Sequence, residues 1–234
     1  GITSKLVSDF GTGAEIAFNT NKSPFTSQLF RQAVFRALDP WSDLEEVWGG
    51  EGVVTLGIPA PRSAWLLSEA AMRTGFSDVD RAAELSWESG VVPTGPIEIT
   101  VGQFGDLYLL QARKVADALA ILGFESTIRE VTTRKFADEV WIGGDYQVFV
   151  GPQAPVDGVS DDLFSVHHSK GMWNTTGFSS NELDGLIELQ TTQLDPSDRR
   201  RTLLDAQFRI LEGAHRFTVA ARTTHWIAQE WVGG

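Results

Sequence analysis

The spacing of apolar positions along the chain predicts alternating strands and helices. Between Leu29 and Leu38, apolar residues recur every three or four positions, which is the period of one buried helix face. Residues 146–150 are apolar almost throughout, which is typical of a strand at the centre of a sheet. The predicted strands are residues 14–20, 97–101, 124–131, 146–150 and 217–221.

Local signals set the ends of the predicted helices. Thr26 or Ser27 is expected to cap the first helix, and Asp39 before Pro40 is expected to end it. The strand–helix–strand–helix–strand order of residues 97–150, with short connections, is typical of βαβ units. The chain is therefore predicted to be α/β, with a mixed, mostly parallel sheet flanked by helices. The other predicted helices span 41–48, 79–89, 106–122, 133–142, 181–191 and 196–213. Four of these have a predicted starting signal: Asp78 for 79–89, Asp106 for 106–122, Ser179 with Glu182 for 181–191, and Asp195 with Pro196 for 196–213.

Composition favours a globular protein that does not bind nucleic acid. Hydrophobic residues make up 42% of the 234 residues, and 8 Trp and 14 Phe supply large apolar surfaces for a buried core. The net charge of −12 opposes binding to a phosphate backbone. The densest basic run, Arg199 to Arg201, falls in a predicted helix that also carries Asp198 and Asp205, and we interpret it as a solvated face.

The sequence contains few of the residue patterns that are typical of enzymes or metal sites. There is no cysteine, which excludes thiol nucleophiles, zinc thiolates and disulfides. Nucleophile-elbow, phosphate-loop and zinc-protease patterns are absent, so we predict no enzyme activity and no cofactor. His167 and His168 are adjacent and should point apart, so no metal is predicted there. Asp161 and Asp162 are interpreted as a helix start, and His215 and His225 as structural residues.

Three separate stretches of the chain form one pattern when taken in order: residues 16–39, 145–151 and 177–184. The first contains a strand with Asn19, then Pro24-Phe25, a helix with Arg31-Gln32-Ala33 and a closing Asp39. The second contains a strand that begins with Asp-Tyr after a glycine, and the third a Gly-Phe-Ser turn into a helix. In order and spacing, and from about Ala14 to Val232, the chain resembles the C-terminal lobe of peptide/nickel-type solute-binding proteins of ABC importers (family 5, cluster C).

This resemblance implies a periplasmic-binding-protein-like (type II) lobe. Residues 1–234 would form the single C-terminal lobe of a bilobal protein whose N-terminal lobe is absent from this chain, with 14–20 and 217–221 as hinge-proximal strands. Such a protein captures a peptide or similar small solute between its lobes and delivers it to permease subunits in the membrane. The implied location is periplasmic or extracellular, at the cell envelope. No stretch reaches the ~18 apolar residues of a membrane-spanning helix.

The loop after the predicted central strand is the first candidate ligand site, because ligands of open α/β sheets collect at the carboxyl ends of the strands. It supplies Gln153, Pro155 and Asp157. In peptide-binding relatives an Asp of this loop holds the peptide's amino group, and a gapless match places Pro155 at that position. Asp157 would take this role in a shifted loop. Otherwise the ligand is not an ordinary free-amine peptide, or Asp157 is a solvated surface residue.

Trp173 and Asn174 are the second candidate ligand site. A tryptophan on a loop gives a ligand a flat apolar wall, and asparagine adds a donor and an acceptor. The alternative is that Trp173 packs back onto the sheet as core.

Two other functions remain open from the sequence. One is a ligand-sensing lobe of a transcriptional regulator, and the other is a small α/β hydrolase with an unrecognised site.

Overall fold

A six-stranded sheet forms the centre of the part of the chain that the computed structural model describes, residues 2–59, 63–153, 158–229 and 231. Its strand order is β2–β6–β1–β5–β3–β4. The strands are β1 (Ile2–Phe18), β2 (Val53–Thr55), β3 (Ile97–Gly102), β4 (Ser126–Val131), β5 (Val148–Pro152) and β6 (Arg216–Gln229).

Helices of very different lengths connect the strands. In the parallel half, α5 joins β3 to β4, and α6 with a following π-helical turn (Ala137–Ile142) joins β4 to β5. A short 3-10 turn (Ser63–Trp65) and a π-helical turn (Leu163–His167) lie in the longer connections. The α-helices are α1 (Gln28–Ala37), α2 (Pro40–Trp48), α3 (Glu69–Arg73), α4 (Val79–Glu88), α5 (Asp106–Ile121), α6 (Thr133–Phe136), α7 (Val159–Asp162), α8 (Asn181–Thr192) and α9 (Pro196–Gly213).

The sheet confirms the predicted α/β class and divides into two halves. β3 pairs in parallel with β4 and β5, as the βαβ pattern predicted. β1 runs antiparallel to both β5 and β6, and β2 runs antiparallel to β6. β5 lies between β1 and β3, so the most apolar strand is central, as expected.

Helix ends follow the predicted chemistry in most places. The side chains of Ser27 and Asp39 accept hydrogen bonds from backbone N–H groups in the first turns of α1 and α2. Two predictions were displaced by one residue. Gly105, which has no side chain to offer, stands at the N-cap of α5, so Asp106 lies in its first turn. Ser180, and not Ser179, caps α8, by accepting from the backbone N–H of Leu183.

Strand boundaries were predicted less well than helix ends. β1 and β6 extend well beyond residues 14–20 and 217–221, because they pair with each other along their outer parts from Ile2 opposite Gln229. β5 begins two residues later than predicted and includes Gly151 and Pro152. A long mutual pairing of two strands supplies hydrogen bonds that neither segment's own pattern reveals.

One face of the sheet carries the main hydrophobic core. Ile16 and Phe18 of β1 belong to it, as does Phe217 of β6. The Phe35 ring of α1 lies 5.8 Å from that of Phe18 and 5.0 Å from that of Phe217, measured between centroids. This packing fixes α1 against the sheet.

The Arg-Gln-Ala sequence of α1 has a structural explanation. The buried Arg31 donates from Nε to the carbonyl oxygen of Gly213 at 3.0 Å and from Nη1 to that of Phe25 at 2.7 Å. Gln32 donates to the carbonyl oxygen of Glu212 at 2.7 Å. These side chains satisfy carbonyl groups at the end of α9 that have no partner within the helix. Burial lowers the pKa of Arg31 to about 10, so it remains charged at neutral pH.

The second face of the sheet carries a smaller aromatic core. Ala17 of β1 belongs to it, together with Phe136, Tyr146 and Phe149. Glu15 lies two residues before Ala17, so strand alternation places it on this same face. None of the helices in the described ranges has the length and apolar content needed to cross a bilayer.

Candidate functional site

The carboxyl ends of the three parallel strands form one edge of the sheet. β3, β4 and β5 end there at Gly102, Val131 and Pro152. A cavity of about 240 Å³ lies at the ends of β3 and β4, lined in part by Gln103 and Glu130. Ligands of open α/β sheets bind at such edges.

Gln153 follows β5 at this edge and is half-buried. Its Nε2 donates to the carbonyl oxygen of Gly57 and, at 3.3 Å, to Oδ1 of Asp162. A Cβ at Gly57 would lie 2.7 Å from this Nε2, and the φ angle of +87° there also favours glycine. Gln153 thus fastens the end of β5 to two other segments. Among the described residues its Oε1 is buried without a partner, and its predicted contact with ligand stays a prediction.

A group of buried ionisable side chains lies beside Gln153, and two of its members, Glu15 and Arg216, are on the second face of the sheet. We call Glu15, Asp162, His167, His215 and Arg216 the polar cluster. Each is at most 3% exposed. Arg216 Nη1 lies 2.7 Å from Glu15 Oε1, and His167 Nε2 lies 3.7 Å from Asp162 Oδ2. On its other side, His167 Nδ1 lies 3.3 Å from His215 Nε2.

Burial dominates the protonation of the polar cluster. It raises the pKa of Asp162 well above its ordinary value, although the nearby Arg216 opposes the rise. It raises the pKa of Glu15 against the same opposition. Burial also lowers the pKa values of His167 and His215 well below the usual range, so both imidazoles are neutral at pH 7.

Trp173 and Asn174 lie on the loop that follows the π-helical turn. The backbone N–H of Trp173 donates to the carbonyl oxygen of Ser165 at 2.7 Å, and its side chain is half-buried. The side-chain amide of Asn174 donates to the carbonyl oxygens of His168 at 3.1 Å and Phe178 at 2.8 Å, and its Oδ1 accepts from Thr176 at 2.8 Å. Asn174 thus organises the loop that presents Trp173. Their contact with ligand also stays a prediction.

The remaining predicted positions lie in three parts of the chain. Pro155 and Asp157 lie outside the described residues. Asp161 and Asp162 lie in the first turn of α7, as the helix-start interpretation expected. His167 and His168 have separate surroundings, because Nε2 of His168 lies 3.4 Å from Glu188 Oε1. In the described part of the chain, no group of three or more His, Asp or Glu side chains is placed to hold a metal ion.

Sequence reasoning missed the polar cluster. Glu15 stands within a predicted strand and Arg216 immediately precedes one, and a charge at such a position was the available signal. Their pairing across 201 positions of sequence is visible only in the folded chain.

Comparison with known families identifies the chain. The family described as "Bacterial extracellular solute-binding proteins, family 5 Middle" matches residues 8–174. The chain belongs to this family. Among curated proteins, no sequence matches it.

Solved structures of binding proteins share the fold. An ABC transporter substrate-binding protein, CtaP, from Listeria monocytogenes has a TM-score of 0.82 and 15% identity, covering 97% of this chain and 46% of its own. A dipeptide-binding protein from Pseudoalteromonas sp. SM9913, in complex with Met-Leu, has a TM-score of 0.77 and 20% identity, covering 100% and 47%. NikA from Staphylococcus aureus, in complex with Ni(L-His)2, has a TM-score of 0.75 and 12% identity, covering 100% and 50%. The chain spans about half the length of these proteins.

Proposed function

We propose that this family 5 chain is the C-terminal lobe of the solute-binding subunit of an ABC importer. An N-terminal lobe would complete the protein, with residues 14–20 and 217–221 near the hinge. The solute, a peptide or a similar small molecule, would bind between the lobes outside the cytoplasm and pass to permease subunits in the membrane. The solute would be released chemically unchanged.

The family match carries this proposal. It spans residues 8–174 and so includes all five candidate ligand-binding residues: Gln153, Pro155, Asp157, Trp173 and Asn174. Two physical features support a ligand site on these residues. Gln153 stands at the carboxyl end of β5, and the half-buried Trp173 is held on a loop that Asn174 organises. A site of this kind gives a ligand apolar surface together with a few fixed polar groups.

The solute can be sought without guessing its identity. We expect native mass spectrometry of the complete two-lobed protein, purified gently, to show one small solute per chain that is recovered intact after denaturation. Trp173→Ala should reduce its retention. Trp87→Ala is the matched control, because that tryptophan is 85% exposed on α4, far along the chain from the site. Equal solute retention in both variants would contradict a site at Trp173, and conversion of the solute would favour the hydrolase alternative.

The role of Asp157 can be tested with a defined probe, Met-Leu, and its N-acetylated form. If Asp157 holds an amino group, acetylation and Asp157→Asn each weaken calorimetric binding, and the two losses are not additive. If binding tolerates both changes, Pro155 marks a site that does not recognise a free amine.

The 234-residue chain alone should bind more weakly than the complete protein, since one wall of the cleft is missing. Micromolar or tighter capture by the chain alone would contradict the half-site proposal.

A further inference from the structure

The polar cluster draws its members from separate parts of the fold. Glu15 comes from β1, Asp162 from α7, His167 from the π-helical turn, His215 from the α9–β6 connection and Arg216 from β6. Arg216 and Glu15 form a direct ion pair, whereas Asp162 Oδ2 and His167 Nε2 face each other at 3.7 Å. Among the described residues, these last two atoms are buried and without a hydrogen-bond partner.

Counting charges shows what the cluster requires. The positive Arg216 and the negative Glu15 cancel. An ionised Asp162 beside two neutral histidines would then leave one uncompensated negative charge at 0% exposure, which is strongly destabilising. One added proton makes the whole cluster neutral, whether it resides on Asp162 or on His167.

The hydrogen bonds show where that proton fits. Oδ1 of Asp162 accepts from Gln153 Nε2, so Oδ2 is the oxygen that can carry a proton. His167 Nδ1 and His215 Nε2 share one hydrogen between them. With that hydrogen on His167 Nδ1, the Nε2 lone pair of His167 is directed to the Asp162 side and is available as an acceptor.

We propose that Asp162 and His167 form an internal proton-binding site, in which the folded protein holds one proton that the unfolded chain releases at neutral pH. The proton neutralises the contact between the sheet and the segment from Val159 to Trp173. Its loss at high pH leaves a buried charge at that contact and weakens the attachment of the segment. The proton-binding site is independent of the proposed solute function.

Several other charged and titratable groups face Asp162 and His167. Glu15 and Arg216 act from the sheet, Asp161 from α7 and His215 from beyond His167. Tyr146, before β5, is a neutral phenol whose pKa is raised by burial. Of these groups Arg216 is the one that favours an ionised Asp162, and Glu15 already pairs with it at 2.7 Å.

The sign of the pH dependence follows from the proton count. Below the ordinary pKa of an aspartate, the folded and unfolded chains both hold the proton and its contribution to stability is complete. Above that value the aspartate of the unfolded chain has released its proton and the folded site has not, so Asp162 by itself raises the unfolding equilibrium constant tenfold per pH unit until the site releases the proton. The buried neutral His167 and His215 act in the opposite direction below about pH 6.5, because they gain protons on unfolding, and they do so in the wild-type protein and in variants of Asp161 or Asp162 alike. The contribution of Asp162 to stability is therefore lost as pH rises.

The test compares urea unfolding of three proteins between pH 5 and pH 8. Asp162→Asn mimics the protonated side chain and has no proton to release on unfolding. The difference in slope between the wild-type protein and this variant, for the unfolding equilibrium constant against pH, should therefore be about tenfold per pH unit, which corresponds to one proton. Asp161→Asn is the matched control, because it changes the neighbouring but exposed carboxylate and should keep the wild-type slope. Other buried acids contribute equally to all three proteins. Equal slopes in the two variants would overturn the proposal.

A second measurement does not depend on the folding of Asp162→Asn. Carbon-13 NMR of the side-chain carboxyl groups in the wild-type protein should show Asp162 still protonated at pH 6. Glu15→Gln should lower the pH at which it titrates, because Arg216 then becomes available to an ionised Asp162. An Asp162 carboxyl that titrates near its ordinary value of about 3.9 in the wild-type protein would overturn the proposal.

Discussion

Removing Glu15 tests how the second face of the sheet is held together. Its carboxylate lies 2.7 Å from Arg216 Nη1, and both side chains are 3% exposed. Glu15→Ala would leave the guanidinium buried and unpaired. Breaking a buried pair in this way costs about 3–5 kcal/mol, a large part of the roughly 5–15 kcal/mol that holds a typical domain folded.

The assay is urea unfolding followed by tryptophan fluorescence and circular dichroism. With an m-value of about 2–3 kcal/mol per molar urea, the midpoint should fall by about 1 to 2.5 M. A double-mutant cycle with Arg216→Met separates the pair from its surroundings, since removing both charges should cost less than removing Glu15 alone.

An exposed pair provides the control. Arg81 Nη1 lies 2.8 Å from Glu84 Oε2, a similar distance, but these side chains are 39% and 63% exposed. Glu84→Ala should leave the midpoint almost unchanged, because solvent screens such pairs. A Glu15→Ala midpoint as close to wild type as that of Glu84→Ala would refute the reasoning, as would additive costs in the cycle.

Three further predictions concern packing, backbone conformation and pH. Phe35→Ala should lower the free energy of unfolding by about 3–5 kcal/mol. Leu194→Ala should change it little, because that side chain is 97% exposed. Equal effects of the two substitutions would contradict the assigned core. Gly57→Ala should lower the free energy of unfolding by about 1–3 kcal/mol in a urea titration, because φ is +87° at this position and the new Cβ would meet Gln153. Gly90→Ala is the control for backbone strain alone, because Gly90 also has a positive φ but open space around its Cβ. Burial raises the pKa of Asp43 to about 6, although a hydrogen bond from Gln111 opposes the rise. The contribution of Asp43 to the free energy of unfolding is therefore complete below about pH 3.8 and declines as pH rises to about 6. Asp43→Asn should abolish this decline of up to about 3 kcal/mol, and an unchanged pH profile would show that Asp43 titrates normally.

Much of the fold could be predicted because its signals are local. Ser27, Asp39 with Pro40, and Gly49 act on backbone groups within a few residues, so their effect is written in adjacent sequence. The caps of α5 and α8 were displaced by one residue because neighbouring positions there offer competing signals: Gly105 precedes Asp106, and Ser179 precedes Ser180.

The contacts that assemble the candidate site are not local. The long pairing of β1 with β6 and the polar cluster join residues near opposite ends of the chain. The role of Gln153 depends on Gly57 and Asp162, and neither is marked as its partner by periodicity or spacing. Resemblance to a family supplied the prediction of a site region, but only the fold shows that Asn174 holds its own loop.

The most direct test of the solute-binding account is a crystal structure of the complete two-lobed protein with the solute that co-purifies with it. We predict solute in contact with Trp173 and with the segment that follows β5, enclosed on its other side by the N-terminal lobe. A solute held away from Trp173 and from that segment, for example in the groove that Phe35 of α1, Leu85 of α4 and Leu211 of α9 line, would contradict the account.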